Sequence, residues 1–184
     1  MVRKKIYKKQ HILAAAQNLL IEKSFSAITA RNVAEYMGIS TQPIYLEFKN
    51  MEELKLSLLK KTHEYLEREY FSQLPTTSSV ANFGINYINL AKANRKLYIS
   101  LYVDQHSYGN ELRQLSFDSF RKNIKNEVNY VDKGEKELEN LHLNLWIVAI
   151  GMASLSISGM LDTTEENLIS VFERVERNYN MDVI

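Results

Sequence analysis

The sequence predicts an all-α fold: a three-helix helix-turn-helix unit at the N-terminus and a larger helical domain after it, about nine helices in total. Three observations carry this. Only two prolines and six glycines punctuate 184 residues, too few for the many turns of a β-rich chain. Apolar residues recur at three- and four-residue intervals through most of the chain, the period of helices with one buried side. The segment Thr29 to Leu54, TARNVAEYMGISTQPIYLEFKNMEEL, has the start, stop and spacing signals of two short helices joined by a tight turn, with a third beginning after them. A hydrophobic content of 45% suits a globular protein. The length allows one compact fold, or a small and a larger unit sharing a core.

Taken in order, helix 1 is expected from His11 to Lys23, with Ile12, Ala16, Leu19 and Leu20 on one face and Phe25 closing the loop after it. Thr29 is placed to cap the next helix through its hydroxyl. Val33, Ala34 and Met37 form that helix's apolar side, and Gly38 ends it in the left-handed conformation that glycine adopts most cheaply. Ile39 plugs the corner, and Ser40 or Thr41 caps the following helix. Pro43 falls in that helix's first turn, where a missing N–H breaks no helical bond. Ile44, Tyr45 and Phe48 are expected to continue the apolar side. The second helix of the pair is exposed enough to enter a DNA major groove. Asn50 and Glu53 have capping-box spacing and open a long helix to about Ser72. Leu54, Leu58 and Tyr65 mark one stripe on it; Leu56, Leu59, His63, Leu66 and Tyr70 mark another. Two stripes imply contact on two sides.

Leu74-Pro-Thr-Thr-Ser-Ser79 is the clearest break in the chain. Helices are expected over 79–93, 95–104, 110–130, 136–161 and 165–180, with Tyr108-Gly109-Asn110 and Asp132-Lys133-Gly134 between them. Thr163 with Glu166 has capping-box spacing for the last. Residues 140–161 carry no formal charge, long enough to raise a membrane span. Polar Asn140, His142, Asn144 and three serines interrupt it, and its flanks are acidic or mixed. Leu138, Leu141, Leu145, Val148, Met152 and Leu155 repeat at the spacing of packed helices. No membrane association is expected. Burial in the protein's own core and against a second subunit fits better, with Gly151, Ala153 and Gly159 allowing close approach and Leu168, Val171, Phe172 and Val175 striping the next helix.

Net charge is +1, but residues 1–61 hold 11 Lys/Arg against 5 Asp/Glu, and residues 62–184 hold 12 against 17. A basic head on an acidic body suits a polyanion bound at one end. Cysteine is absent, which excludes disulfides, thiolate zinc sites and cysteine nucleophiles. The basic N-terminus MVRKKIYKKQ is followed by no secretory signal pattern, so a cytoplasmic location is expected.

Phe25, Thr29, the run V-A-x-x-M-G-I-S (Val33 to Ser40) and I-Y-x-x-F-x-N-x-E-E-L (Ile44 to Leu54) resemble the DNA-binding domain of the TetR family of transcriptional regulators. The resemblance covers the first third of the chain. Met51 departs from it, standing where the family commonly has a lysine touching the DNA backbone. The resemblance implies a DNA-binding domain over 1–50 and an effector-binding and dimerisation domain over 51–184, with 51–72 as the connecting helix. It implies a homodimer built on the last two long helices, bound to a pseudopalindromic operator in double-stranded DNA, and a repressor released by a small-molecule effector.

The resemblance also implies which residues meet DNA, and their chemistry suggests what each contacts. Thr29 donates to a phosphate, and Arg31 reaches a phosphate or a guanine edge. Ser40, Thr41, Gln42 and Tyr45 begin the recognition helix. The Gln42 amide can pair with adenine N6 and N7, and Thr41 suits a base edge or thymine methyl. Tyr45 and Lys49 are expected on phosphates, which set register. Lys4 and Lys5 lie in a basic arm able to follow the backbone or enter the minor groove. In the body, Tyr87, Tyr102, Phe117 and Trp146 are candidates to line a cavity for a small apolar or aromatic effector. His63, His106 and His142 fall on separate helices without ligand spacing, so no metal, cofactor or catalytic site is expected. The competing readings are a helical adaptor and an effector-independent DNA-binding protein without a ligand pocket.

Overall fold

The structure is a computed structural model that describes residues 7–125, 127–162 and 164–181. Among them are nine α-helices and no strand: α1 (Lys9–Glu22), α2 (Ala30–Met37), α3 (Gln42–Glu47), α4 (Met51–Leu66), α5 (Ser79–Ala93), α6 (Arg95–Tyr102), α7 (Gly109–Ile124), α8 (Glu135–Ile157) and α9 (Glu165–Met181). A 3₁₀ turn at Phe25–Ala27 leads into α2, and α4 continues as a π-helical stretch over Glu67–Phe71. Expected Lys4, Lys5 and Thr163 lie outside the described residues.

α1, α2, α3 and the start of α4 form the head. Its interior is Ile12, Leu19, Leu20, Phe25, Val33, Ile44, Phe48 and Leu54, all fully buried. α1 is pinned to the helix-turn-helix from its first residue: the Lys9 N–H donates to Glu47 Oε2 at 2.9 Å and its ammonium to Glu53 Oε1 at 2.7 Å. That bond holds the Glu53 carboxyl below its ordinary pKa. Asn50 caps α4 through its Oδ1, which accepts the Glu53 N–H at 2.9 Å. The return bond of the expected box goes one residue earlier, from the Lys49 N–H to Glu53 Oε2 at 2.8 Å.

α5 is the axle of the body, buried on nearly every side and packed against α6, α7, α8, α9 and the end of α4. Gly84 lets α9 come close: a Cβ there would lie 1.8 Å from Phe172 Cζ. Several helix ends differ from expectation for local reasons. α7 stops at buried Ile124, because Val128, the next residue on that face, is 88% exposed and holds nothing. α8 stops at Ile157 because Gly159 adopts φ 75 and the Met160 and Gly159 N–H groups close back on Leu155 and Ser156 carbonyls. Gly159 is thus a helix stop, and it lies exposed. α9 is capped by Thr164, whose Oγ1 accepts the Asn167 N–H at 3.3 Å.

α8 is long and apolar enough to cross a membrane by length and composition alone. Here Leu138, Leu141, His142, Leu145, Ala149 and Ala153 face inward, packed chiefly against α5. The expected stripe drifts at its end: Val148 and Met152 are half-buried and Leu155 is 43% exposed. A strict 3.5-residue repeat rotates off the contact line of a straight helix by ~20° per heptad. Ala153 therefore belongs to the protein's own core, while Gly151 is exposed, with no atom within 4 Å of an added Cβ.

Candidate nucleic-acid interface

The outer surface of the head is set by α2 and α3. Thr29 Oγ1 accepts the Asn32 N–H at 3.1 Å, starting α2. Gly38, at φ 66 and ψ 37, ends it, with the Gly38 N–H on Glu35 O and the Ile39 N–H on Ala34 O, both 3.0 Å. This paired closure turns the chain sharply into α3.

α3 begins differently from the sequence expectation. The Thr41 backbone carbonyl accepts the Ile44 N–H at 3.1 Å and the Tyr45 N–H at 3.4 Å, but its hydroxyl caps nothing. Pro43 has no N–H to offer a cap, and that of Ile44 is taken by the carbonyl. Ser40 is outside the helix and exposed. The polar groups at this end therefore face away from the helix. Ile44 and Phe48, four residues apart, share the buried side. Tyr45 lies one residue further round and is 55% exposed, so it does not continue the apolar face. Leu46 is 76% exposed on the same outward side. Thr29, Arg31, Gln42 and Lys49 are all exposed, Thr41 half-buried. Met51 is half-buried against the core.

The head is clamped to the body by a loop that sequence reading passed over. The Phe25 N–H donates to Ser100 Oγ at 2.7 Å in a buried setting. Its ring packs on His106 and Tyr108, with centroids 5.2 and 5.0 Å away. The Tyr108 hydroxyl donates to Glu52 Oε2 at 2.7 Å. Burial and that carboxylate raise the Tyr108 pKa. The α6–α7 loop thus holds the 3₁₀ turn and the first turn of α4 together.

Behind it, two hollows among the described residues adjoin the aromatic candidates, and the four do not share one. Tyr87 lines an enclosed cavity between α5 and α7, with Phe71, Phe83, Asn86 and Phe120. Tyr102 and Trp146 line a more open groove of about 520 Å³ between the α6–α7 loop and α8. Phe117 lines neither; it is buried against His142, 5.5 Å between centroids. A polar chain crosses the core beside the cavity. The Tyr87 hydroxyl donates to Ser116 Oγ at 2.8 Å, and Ser116 Oγ lies 2.8 Å from His142 Nε2. Burial pushes the Tyr87 hydroxyl up to about 12 and pulls His142 down to about 4.

Each remaining histidine has its own partner. His106 Nε2 lies 2.8 Å from Leu101 O. His63 Nε2 lies 2.9 Å from Ser119 Oγ, which donates to Glu67 Oε2 at 2.5 Å. In a hydrolytic triad the imidazole stands between hydroxyl and carboxylate. Here the hydroxyl stands between, donating its hydrogen bond to the carboxylate rather than to the imidazole. The cluster braces α4 against α7.

Residues 12–58 match the family model for bacterial regulatory proteins of the tetR family. No curated protein matches the chain. Solved structures share its fold along nearly its whole length. A TetR family protein from Vibrio parahaemolyticus overlays with a TM-score of 0.61 at 18% identity, covering 92% of this chain and 96% of that one. Salmonella enterica GusR gives 0.60 at 13% identity, covering 95% and 96%. The fatty acid degradation regulator FadR from Bacillus halodurans gives 0.57 at 15% identity, covering 94% and 96%. The chain is thus similar to the tetR family over its helix-turn-helix, residues 12–58, and shares the fold of such proteins over the rest of its length.

Proposed function

We propose that this chain is a TetR-family transcriptional regulator: a homodimeric, cytoplasmic, non-enzymatic repressor whose residues 1–50 bind a pseudopalindromic operator and whose residues 51–184 dimerise and bind a small effector. The observation that carries the reading is the outward face of α3. Gln42, Tyr45 and Leu46 stand exposed at one end of the molecule, with the Thr41 hydroxyl spent on no cap and Arg31 and Lys49 exposed on the same head. That arrangement supports Gln42 and Thr41 as base readers and Thr29, Arg31, Ser40, Tyr45 and Lys49 as backbone contacts, with Lys4 and Lys5 extending the basic surface.

One such head buries too little surface to hold an operator tightly, and a second copy supplies the second half-site. Recognition helices ~34–36 Å apart then enter successive major grooves. The dimer reading is supported by the uncovered apolar side of α8, where Ile147 is 60% and Leu155 43% exposed on either side of Gly151, and by half-buried Val171 and Val175 on α9. Because the Phe25–His106–Tyr108–Glu52 clamp joins head to body, a change in the body that moves the α6–α7 loop changes head spacing. An effector releases DNA only by as much as it prefers that altered state. Mobility-shift assays on the protein's own upstream DNA, with footprinting, test this. Protection of two half-sites one helical turn apart is expected, and equal affinity for that DNA and for random duplex would refute it.

A further inference from the structure

The enclosed cavity between α5 and α7 has an unusual hydrogen-bond balance. Asn86 is buried, and its Nδ2 donates to Gln73 O at 2.9 Å and to Phe71 O at 3.4 Å. Both hydrogens are aimed at carbonyls, which settles which end of the amide is which. Its Oδ1, also buried, has no partner, and Asn86 lines the cavity. An acceptor shut away from water without a donor is costly, and native structures seldom leave one so without a reason.

None of the donors around it bonds that oxygen: Asn123 Nδ2 donates to Phe71 O at 3.4 Å. Ser119 Oγ donates to Glu67, and Ser79 Oγ to Glu127. The Tyr87 hydroxyl donates to Ser116, and Asn82 Nδ2 to Thr76 O. No lysine, arginine or histidine lines the space, and two carboxylates stand directly behind two of its serines. The rest of the wall is aromatic, with Phe71 stacked on Tyr87 at 4.7 Å and Phe83 edge-on to Phe120 at 5.4 Å. Phe71 closes the π-helical stretch at the end of α4. Such stretches recur at functional sites, and the other end of α4 carries Glu52 to the head clamp.

We propose that this cavity binds a small molecule with an aromatic or apolar body and a hydrogen-bond donor, neutral or cationic but not anionic, whose donor bonds Asn86 Oδ1. The inference rests on the effector reading above and names the chemistry of its ligand. The closed cavity holds about 20 Å³, room for a water. A ring enters by displacing Gln73 and Leu74, exposed residues of the α4–α5 loop that line its mouth, rather than the core.

The test is calorimetric and ligand-observed NMR titration of the full chain with phenol, benzylamine, anisole and benzoate, which share one ring and differ in donor and charge. Phenol and benzylamine are expected to bind about tenfold or more tightly than anisole and benzoate. Asn86→Ala should bring the phenol-to-anisole ratio near one. If that variant fails to fold, Leu74→Trp, which fills the cavity mouth without removing a hydrogen bond, should abolish phenol binding. Anisole or benzoate binding as well as phenol overturns the proposal. So does phenol binding untouched by both variants, and so does the absence of saturable binding by phenol and benzylamine. Release of an operator fragment, measured in parallel, separates the two claims: a donor probe that binds through Asn86 but leaves the DNA bound upholds the site and overturns the effector role.

Discussion

Replacing Gly84 by alanine sets two effects against each other, and the structure decides the sign. Alanine is the better helix former by about 1 kcal/mol, so sequence alone favours the substitution in the middle of α5. The added Cβ, however, would lie 1.8, 2.0 and 2.3 Å from Phe172 Cζ, Cε2 and Cε1. Carbon atoms in contact sit at ~3.5–4.0 Å, so the ring must retreat by roughly 1.5–2 Å. It has nowhere to go, being fully buried between α5 and α9. Overpacking costs about 1–3 kcal/mol, and expelling the ring approaches the ~3–5 kcal/mol of deleting a core phenylalanine. After the propensity gain, a net loss of ~2 kcal/mol is expected. That is a Tm lower by ~4–8 °C for a chain of this size, read by circular dichroism at fixed protomer concentration, since a dimer's Tm depends on it. Phe172→Leu in the same background should recover part of the loss, giving a coupling energy of ~1 kcal/mol or more. A Gly84→Ala protein as stable as the parent would refute the close approach of α5 and α9, and with it the placement of the proposed dimer face.

Gln42→Ala should weaken specific operator binding by ~1–3 kcal/mol and leave binding to random duplex nearly unchanged; a parallel fall in both, by fluorescence anisotropy, would show that it reads no base. Trimming residues 1–6 removes Arg3, Lys4 and Lys5 and should flatten the slope of log affinity against log salt by up to ~0.9 per charge lost. The trim must spare Lys9, which begins α1 and bonds Glu53; an unchanged slope would mean the arm touches no phosphate. Gly151→Asp, on the open side of α8, should split the dimer while leaving helicity intact, and sedimentation showing an undisturbed dimer would remove α8 from the interface. His142, held down to about 4 by burial, binds its proton less readily folded than unfolded. Its neutral form costs nothing above its unfolded pKa of ~6.5, and stability falls as pH drops from there toward 4, by on the order of 3 kcal/mol. His142→Gln should flatten that part of the stability-against-pH curve in urea titrations, and an unchanged curve would assign the acid sensitivity elsewhere.

The head was legible because its signals are local. A cap needs an oxygen three residues from an N–H, a left-handed stop needs a glycine, and a buried side needs apolar residues at helical spacing. Thr29, Gly38 and Asn50 therefore sit as the sequence reads. Local rules also misled there. Tyr45 is apolar enough to be counted inward, yet one step of helical rotation past Ile44 carries it out. Thr41, a good capping residue by type, loses that role because Pro43 removes the donor.

The body shows the opposite balance. Sequence alone determined that it is helical and roughly where its helices run, since periodicity survives whatever the helices pack against. Which residues share a hollow is a property of helices far apart in the chain. Tertiary structure therefore decided that Tyr87 and Tyr102 line different spaces, that Phe117 lines neither, and that Ala153 faces inward while Gly151 stays open. It alone decided what Asn86 is: a cavity-lining amide whose donors are taken by the carbonyls of Phe71 and Gln73, and whose buried oxygen is left without a partner. No pattern along the chain encodes that, because the bonds that define it close only when α4, its π-helical end and α5 have come together.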